Sequence, residues 1–173
     1  MNESAIEGVG FHPLVRHEDD RGMLAEMHRD EWELPVAPVQ WNVVHSNPGT
    51  LRGVHCHWHH SDLLNMVSGE LILGLVDLRI SSPTFRTSEI HRIPALTASI
   101  SIAPGIAHGF HFEVPSTMVY GVDSVWSTDD ELGCMWNDPG LGLDWPCAEP
   151  DLSDRDQTAG TLETLIAEVN ARL

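Results

Sequence analysis

Four histidines fall within Leu51-Arg-Gly-Val-His-Cys-His-Trp-His-His60, and no other stretch of the 173-residue chain gathers so much potential chemistry. Imidazole changes charge near neutral pH and serves widely as a general base and a metal ligand. In a β-strand side chains alternate with period 2, so His55, His57 and His59 would share one face. A row of imidazoles on the inner face of a sheet is costly to bury without partners. The segment therefore reads as one wall of an active site inside a barrel.

The surrounding elements must supply that barrel. The turn Asn47-Pro-Gly-Thr50 precedes the histidines, and a long apolar run from Leu63 to Ile80 follows them. Residues 1–12 suit an opening strand ending at Phe11-His-Pro13, and residues 17–22 a turn. Trp32 to Pro38 reads as a loop and Val39 to Val44 as a strand. Gly69 to Ile80 is almost continuously apolar, as strands buried in a two-sheet core are. Ala98 to Ala103 alternates and meets the turn Pro104-Gly105. Gly109 to Val114 and Thr117 to Val122 predict a hairpin across Pro115-Ser116, and Trp136 to Pro146 carries turn signals. Only Gln157 to Leu173 has a helical pattern, with Leu162, Leu165, Ile166 and Val169 on one face. The pattern predicts one domain over residues 1–173, an all-β double-sheet barrel with a short C-terminal helix.

Composition narrows the partners. The net charge is −17, with nine arginines and no lysine, which argues against nucleic acid and acidic membranes. An anionic small ligand stays possible where arginines converge. No apolar stretch has membrane-spanning length, and Met1-Asn-Glu-Ser4 lacks the basic start of a signal peptide. Cys56, Cys134 and Cys147 are odd in number and in no paired spacing. A cytoplasmic, reduced protein is the expectation.

A set of motifs now carries a resemblance. Asp19-Asp-Arg-Gly22, Val39-Gln-Trp-Asn42, Leu51-Arg-Gly-Val-His55, Val76 to Phe85, Pro104-Gly-Ile-Ala-His-Gly-Phe110, Val119-Tyr120, Trp136 to Pro146 and Leu152-Ser-Asp-Arg-Asp156 occur in this order. Together they resemble the dTDP-4-dehydrorhamnose 3,5-epimerases and related sugar-nucleotide epimerases, which are cupin-type jelly rolls. The resemblance implies proton transfer at C3 or C5 of a 4-keto-6-deoxyhexose nucleotide in deoxysugar biosynthesis. His55 stands at the base position and Tyr120, the one tyrosine of the chain, at the acid position. Asp156 stands where the family's aspartate pairs with the base. Arg21, Glu26, Gln40, Asn42, Arg52 and His108 would line the nucleotide-sugar site. Trp126 stands where relatives commonly have a second tyrosine and would line the site too, able to stack on the sugar or base without that hydroxyl. Arg79 and Asp77 are read as structural. The family forms dimers that exchange N-terminal strands, so a homodimer is expected, with Arg21 serving the neighbouring site. This reading requires no cofactor.

The chain also departs from the pattern. The family usually carries a lysine where this chain has Asp62, and that lysine is thought to steady charge on the 4-keto oxygen. A carboxylate there has the wrong sign for an enolate. The same residue completes a spacing similar to the metal motifs of cupins, with His55, His57 and Asp62 in the first and His108 in the second. Such a set would suit Zn, Fe, Mn or Ni, and the ion would replace lysine as the group polarising the ketone. His55 cannot then be the free base, and His59, His60 or a metal-bound hydroxide would serve. Without metal, Asp62 is expected to be a solvated loop carboxylate. Two alternatives thus stand beside the epimerase. One is a metal-dependent cupin acting as an isomerase, lyase or oxygenase. The other is a relative that binds nucleotide sugars without turnover.

Overall fold

The computed structural model describes residues 3–173; the first two residues of the expected opening segment and of the start Met1 to Ser4 lie outside the described residues. The strands are β1 (Val9–Pro13), β2 (Arg16–Asp19), β3 (Gly22–Ala25), β4 (Gln40–Ser46), β5 (Leu51–Cys56) and β6 (Asp62–Ser68). They continue as β7 (Glu70–Asp77), β8 (Ser88–Pro94), β9 (Ala98–Ile102), β10 (Ile106–His111), β11 (Ser116–Val122) and β12 (Leu132–Gly133). Two short helices close the chain, α1 (Asp154–Gln157) and α2 (Leu162–Asn170). One sheet has the order β1-β9-β6-β11-β4 and the other β12-β5-β10-β7-β8, while β2 and β3 form a separate exposed hairpin. This is the expected double-sheet jelly roll.

Strand β7 shows why its sequence is continuously apolar. Leu71, Leu73 and Leu75 point between the two sheets, against Met66, Ile100, Phe112 and Met118. Ile72 and Val76 point the other way, into a second core closed by Trp145 and by Leu162, Leu165, Ile166 and Val169 of α2. Both faces are covered, so neither needs polar residues. Gly74 and Gly109 are paired across β7 and β10, and a Cβ on either would meet the Trp145 ring at 2.6 and 3.1 Å. The two glycines make the seat for that indole.

Three sequence expectations are corrected. Residues 109–114 and 117–122 do not form a hairpin: β10 pairs with β5 and β7, whereas β11 pairs with β4 and β6. Phe112 is buried in the inter-sheet core, and its backbone N–H and C=O bond to Thr50 and Gly49, so the chain crosses between sheets there. The terminal helix is shorter than 157–173. Thr161 caps α2 by accepting from the Thr164 N–H, and Ser153 caps the separate turn α1 by accepting from the Asp156 N–H. Finally, β5 stops at Cys56. Asp130 Oδ1 accepts the backbone N–H groups of Trp58 and His59, which turns the chain and leaves His59 exposed while His60 is buried. His59 therefore does not share the face of His55.

Candidate active site

A cavity of about 570 Å³ opens between the sheets, with His55, His57 and His108 on one wall and Asp62 and Tyr120 on the other. His55 and His108 are direct cross-strand partners, while Arg52 of β5 pairs with Phe110 of β10. Three steps along β5 thus match two along β10, so β5 carries a bulge. The extra residue resets the alternation, and Arg52 and His55 both line the cavity although they are three residues apart. Gly53 sits in that bulge with φ of +121°, a conformation open to glycine.

His55 Nε2 lies 2.7 Å from Asp156 Oδ1. A carboxylate can only accept, so Nε2 carries the proton and Nδ1 is left as the basic nitrogen. Asp156 also accepts from the Gly53 N–H at 3.3 Å. Burial pushes the Asp156 carboxyl up, but the bonds from His55 and Gly53 outweigh it and hold the group below its ordinary range. Two backbone bonds between Asp151 and residues 49 and 51 tie the C-terminal segment alongside β5, which is how Asp156 reaches a histidine 101 positions away.

Two further imidazoles of the cavity, those of His57 and His108, are held below the ordinary histidine range. Burial, then the nearby His60, pushes His57 down to about 4. Burial, then His57 and His55, pushes His108 well below the histidine range. Asp62, the first residue of β6, is 3% exposed, and burial followed by Glu131, Asp123 and Asp130 raises its carboxyl well above normal. It is not a solvated loop carboxylate. One ligating atom from each of His57, Asp62 and His108 lies within 4.8 Å of the others, and a second such group joins His57, His60 and Asp130. His55 belongs to neither.

Tyr120 is half-buried, and burial, then Asp62 and Glu131, raises its hydroxyl above the ordinary tyrosine range. It therefore holds its proton at neutral pH and is available as a donor. Glu131 and Arg155 complete the rim, and sequence reading had passed over both. Glu131 accepts from the Trp126 indole at 2.9 Å and from Arg155 at 2.7 Å. Glu131 lies in an acidic run, Asp129-Asp-Glu131, which nothing in the sequence distinguishes from a solvated loop.

Comparison with known proteins decides the family. The sequence profile described as dTDP-4-dehydrorhamnose 3,5-epimerase matches residues 3–164. The chain belongs to this family. A dTDP-4-dehydro-6-deoxyglucose 3-epimerase from a Streptomyces species is 35% identical over 177 residues, covering 95% of this chain and 89% of the relative. The dTDP-4-dehydrorhamnose 3,5-epimerase of Pseudomonas aeruginosa is 34% identical over 157 residues, covering 85% and 86%. A 3′-monoepimerase from Streptomyces bikiniensis, solved with dTDP-quinovose, superposes with a TM-score of 0.87 at 33% identity over 98% of this chain and 91% of that one.

As a member of the dTDP-4-dehydrorhamnose 3,5-epimerase family the chain is an isomerase of cupin-type fold. Of the residues the resemblance marked, the structure brings His55, Tyr120, Asp156, Arg52, His108 and Trp126 to one cavity. Gln40 and Asn42 bond to each other behind it, and Gln40 Oε1 accepts the Trp126 backbone N–H. Arg21 and Glu26 lie elsewhere. Arg21 pairs with Asp19 in the exposed hairpin, and Glu26 pairs with Arg29. Asp77 and Arg79 are ion-paired outside the cavity, as the structural reading expected. His55, Asp156 and Tyr120, the three residues that the resemblance marked for catalysis, all line this cavity.

Proposed function

We propose that the chain epimerises a dTDP-4-keto-6-deoxyhexose at a carbon beside the ketone, in deoxysugar biosynthesis. The observation that carries this reading is the His55–Asp156 pair facing Tyr120 across one cavity. His55 Nδ1 takes the proton from C3 or C5, and the electron pair moves into an enolate at the 4-keto oxygen. Asp156 holds the imidazole in the right tautomer and stabilises the imidazolium. Tyr120, on the opposite sheet, returns a proton to the other face of the carbon and inverts it. Arg52 and Arg155 stand at the cavity where a pyrophosphate would need cations on a protein of net charge −17.

The partners follow from the same reading. The ligand is a nucleotide sugar, and the acidic surface disfavours nucleic acid and membranes. Among the described residues no helix is long and apolar enough to cross a membrane, and Cys56, Cys134 and Cys147 are free thiols; a nucleotide-sugar substrate puts the reaction in the cytoplasm. The exposed hairpin β2–β3 would pack on a second copy in a homodimer, which would take Arg21 and Glu26 to the neighbour's cavity.

Proton NMR of dTDP-4-keto-6-deoxyglucose with the protein in deuterium oxide tests the proposal. Loss of the C3 signal alone marks a 3-epimerase, and loss of C3 and C5 a double epimerase. Retention of both signals overturns the reading.

A further inference from the structure

In the cavity His57, Asp62 and His108 converge without hydrogen bonding to one another. His57 Nδ1 lies 2.9 Å from the Asp130 carbonyl and His108 Nδ1 lies 3.2 Å from the Ile106 carbonyl. A carbonyl only accepts, so each Nδ1 carries the ring proton and each Nε2 is left with a lone pair. His108 Nε2 is 4.0 Å from Asp62 Oδ2, too far for a hydrogen bond. The other close imidazole of Asp62, His60, stands 3.9 Å away. Asp62 is buried, and no arginine pairs with it. One ligating atom from each of His57, Asp62 and His108 lies within 4.8 Å of the others, a spacing that an ion held between two imidazoles and a carboxyl group would match.

We propose that His57, Asp62 and His108 bind a divalent transition-metal ion, which meets the 4-keto oxygen of the substrate in a chain that has no lysine. Bound there, such an ion would supply Lewis-acid polarisation of the carbonyl. The role toward the ketone rests on the epimerase reading; the binding site does not.

The residues fit that task. Two neutral nitrogens and one carboxylate suit Zn, Fe, Mn or Ni, and three protein ligands leave positions for substrate. Both ligand imidazoles have their second nitrogen bonded to a backbone carbonyl, which fixes the ring and the tautomer as metal-binding histidines require. His55 stays outside the group, its Nε2 held by Asp156, and so remains free as the base. The competing group of His57, His60 and Asp130 has only His57 on the cavity, where a substrate could meet the ion. His60 Nδ1 lies 2.6 Å from Asp130 Oδ2, and Asp130 Oδ1 accepts two backbone N–H groups. Neither His60 nor Asp130 lines the cavity.

The experiment uses untagged full-length protein, stripped with chelator and titrated with zinc by calorimetry and with cobalt by visible absorption. Wild type should bind one ion per chain, with a cobalt spectrum typical of nitrogen and oxygen ligands. Asp62→Asn should weaken binding at least about tenfold and change the spectrum. His108→Gln makes the same comparison if Asp62→Asn does not fold. In parallel, C3 deuterium exchange should fall in stripped protein and recover on adding zinc. No binding by wild type, or equal binding by both variants, overturns the site whatever the exchange shows. Tight binding with exchange unchanged by stripping overturns the role at the ketone. Tight binding with no exchange, loaded or stripped, removes the epimerase reading and that role while the ion site stands.

Discussion

His55 Nε2 and Asp156 Oδ1 lie 2.7 Å apart, although the two residues are separated by 101 positions in sequence. The contact fixes which imidazole nitrogen is basic and supplies a negative charge beside the imidazolium formed in the reaction. Asparagine at 156 would keep the size and lose both effects, since its amide can donate to the ring and favour the wrong tautomer. Asp156→Asn should lower kcat by about 10²–10⁴-fold, with a much smaller change in KM. Steady-state kinetics would show this split, and a variant changed mainly in KM would place Asp156 in binding instead.

Tyr120 sits on the sheet opposite His55, so abstraction and return of the proton are assigned to different walls. Removing its hydroxyl leaves the base untouched. Tyr120→Phe should therefore abolish inversion while exchange of the C3 proton with solvent survives at a measurable rate. Deuterium NMR separates the two events in one sample. Full inversion by the variant would show that another group is the donor.

Gly53 links the bulge to the dyad. Its N–H donates to Asp156, its φ is +121°, and a Cβ there would stand 2.9 Å from both the His108 carbonyl oxygen and Gly109 Cα. Those neighbours are backbone, which cannot swing aside. Gly53→Ala should destabilise the fold by about 2 kcal/mol or more and depress kcat by moving His55. Urea denaturation and kinetics on the same preparation check both.

Much of this was legible in the sequence, and the failures share a cause. The turn and alternation signals around Val39–Val44 and Ala98–Ala103 are local, and both strands form where they point. Strand β6 was not separated from the apolar run, since Ser68-Gly69 is a weak break between two buried strands. The false hairpin at 115–116 came from the same limit. A local turn signal cannot reveal that the buried Phe112 and the bonds of its backbone to residues 49 and 50 carry the chain to the other sheet. At the site, His55, Tyr120 and Asp156 were reachable through motif resemblance. His59 was misplaced because Asp130, far away in sequence, takes the two N–H groups that end β5. Glu131 and Arg155 were missed because their value lies in each other and in Trp126, a relation that only the folded chain creates.

Asp77 carries the clearest dependence of stability on pH. It is fully buried at the end of β7 and accepts from Arg79 Nε at 2.8 Å, Ser82 Oγ at 2.5 Å and Thr84 Oγ1 at 2.6 Å. Burial pushes its carboxyl up, but these donors outweigh that and bring it down to about 2. In the unfolded chain the group titrates near ~3.9, so folding favours its ionised form. The contribution is full above about pH 5 and is lost as pH falls through the folded value, with an upper bound of about 2.6 kcal/mol before screening by solvent. Asp77→Asn should lower the urea midpoint at pH 7, and the gap from wild type should narrow steadily between pH 4 and the acid limit of the fold. A gap that stays constant over that range would mean the loss comes from geometry in the hydrogen-bonded cluster, with the charge of Asp77 contributing nothing.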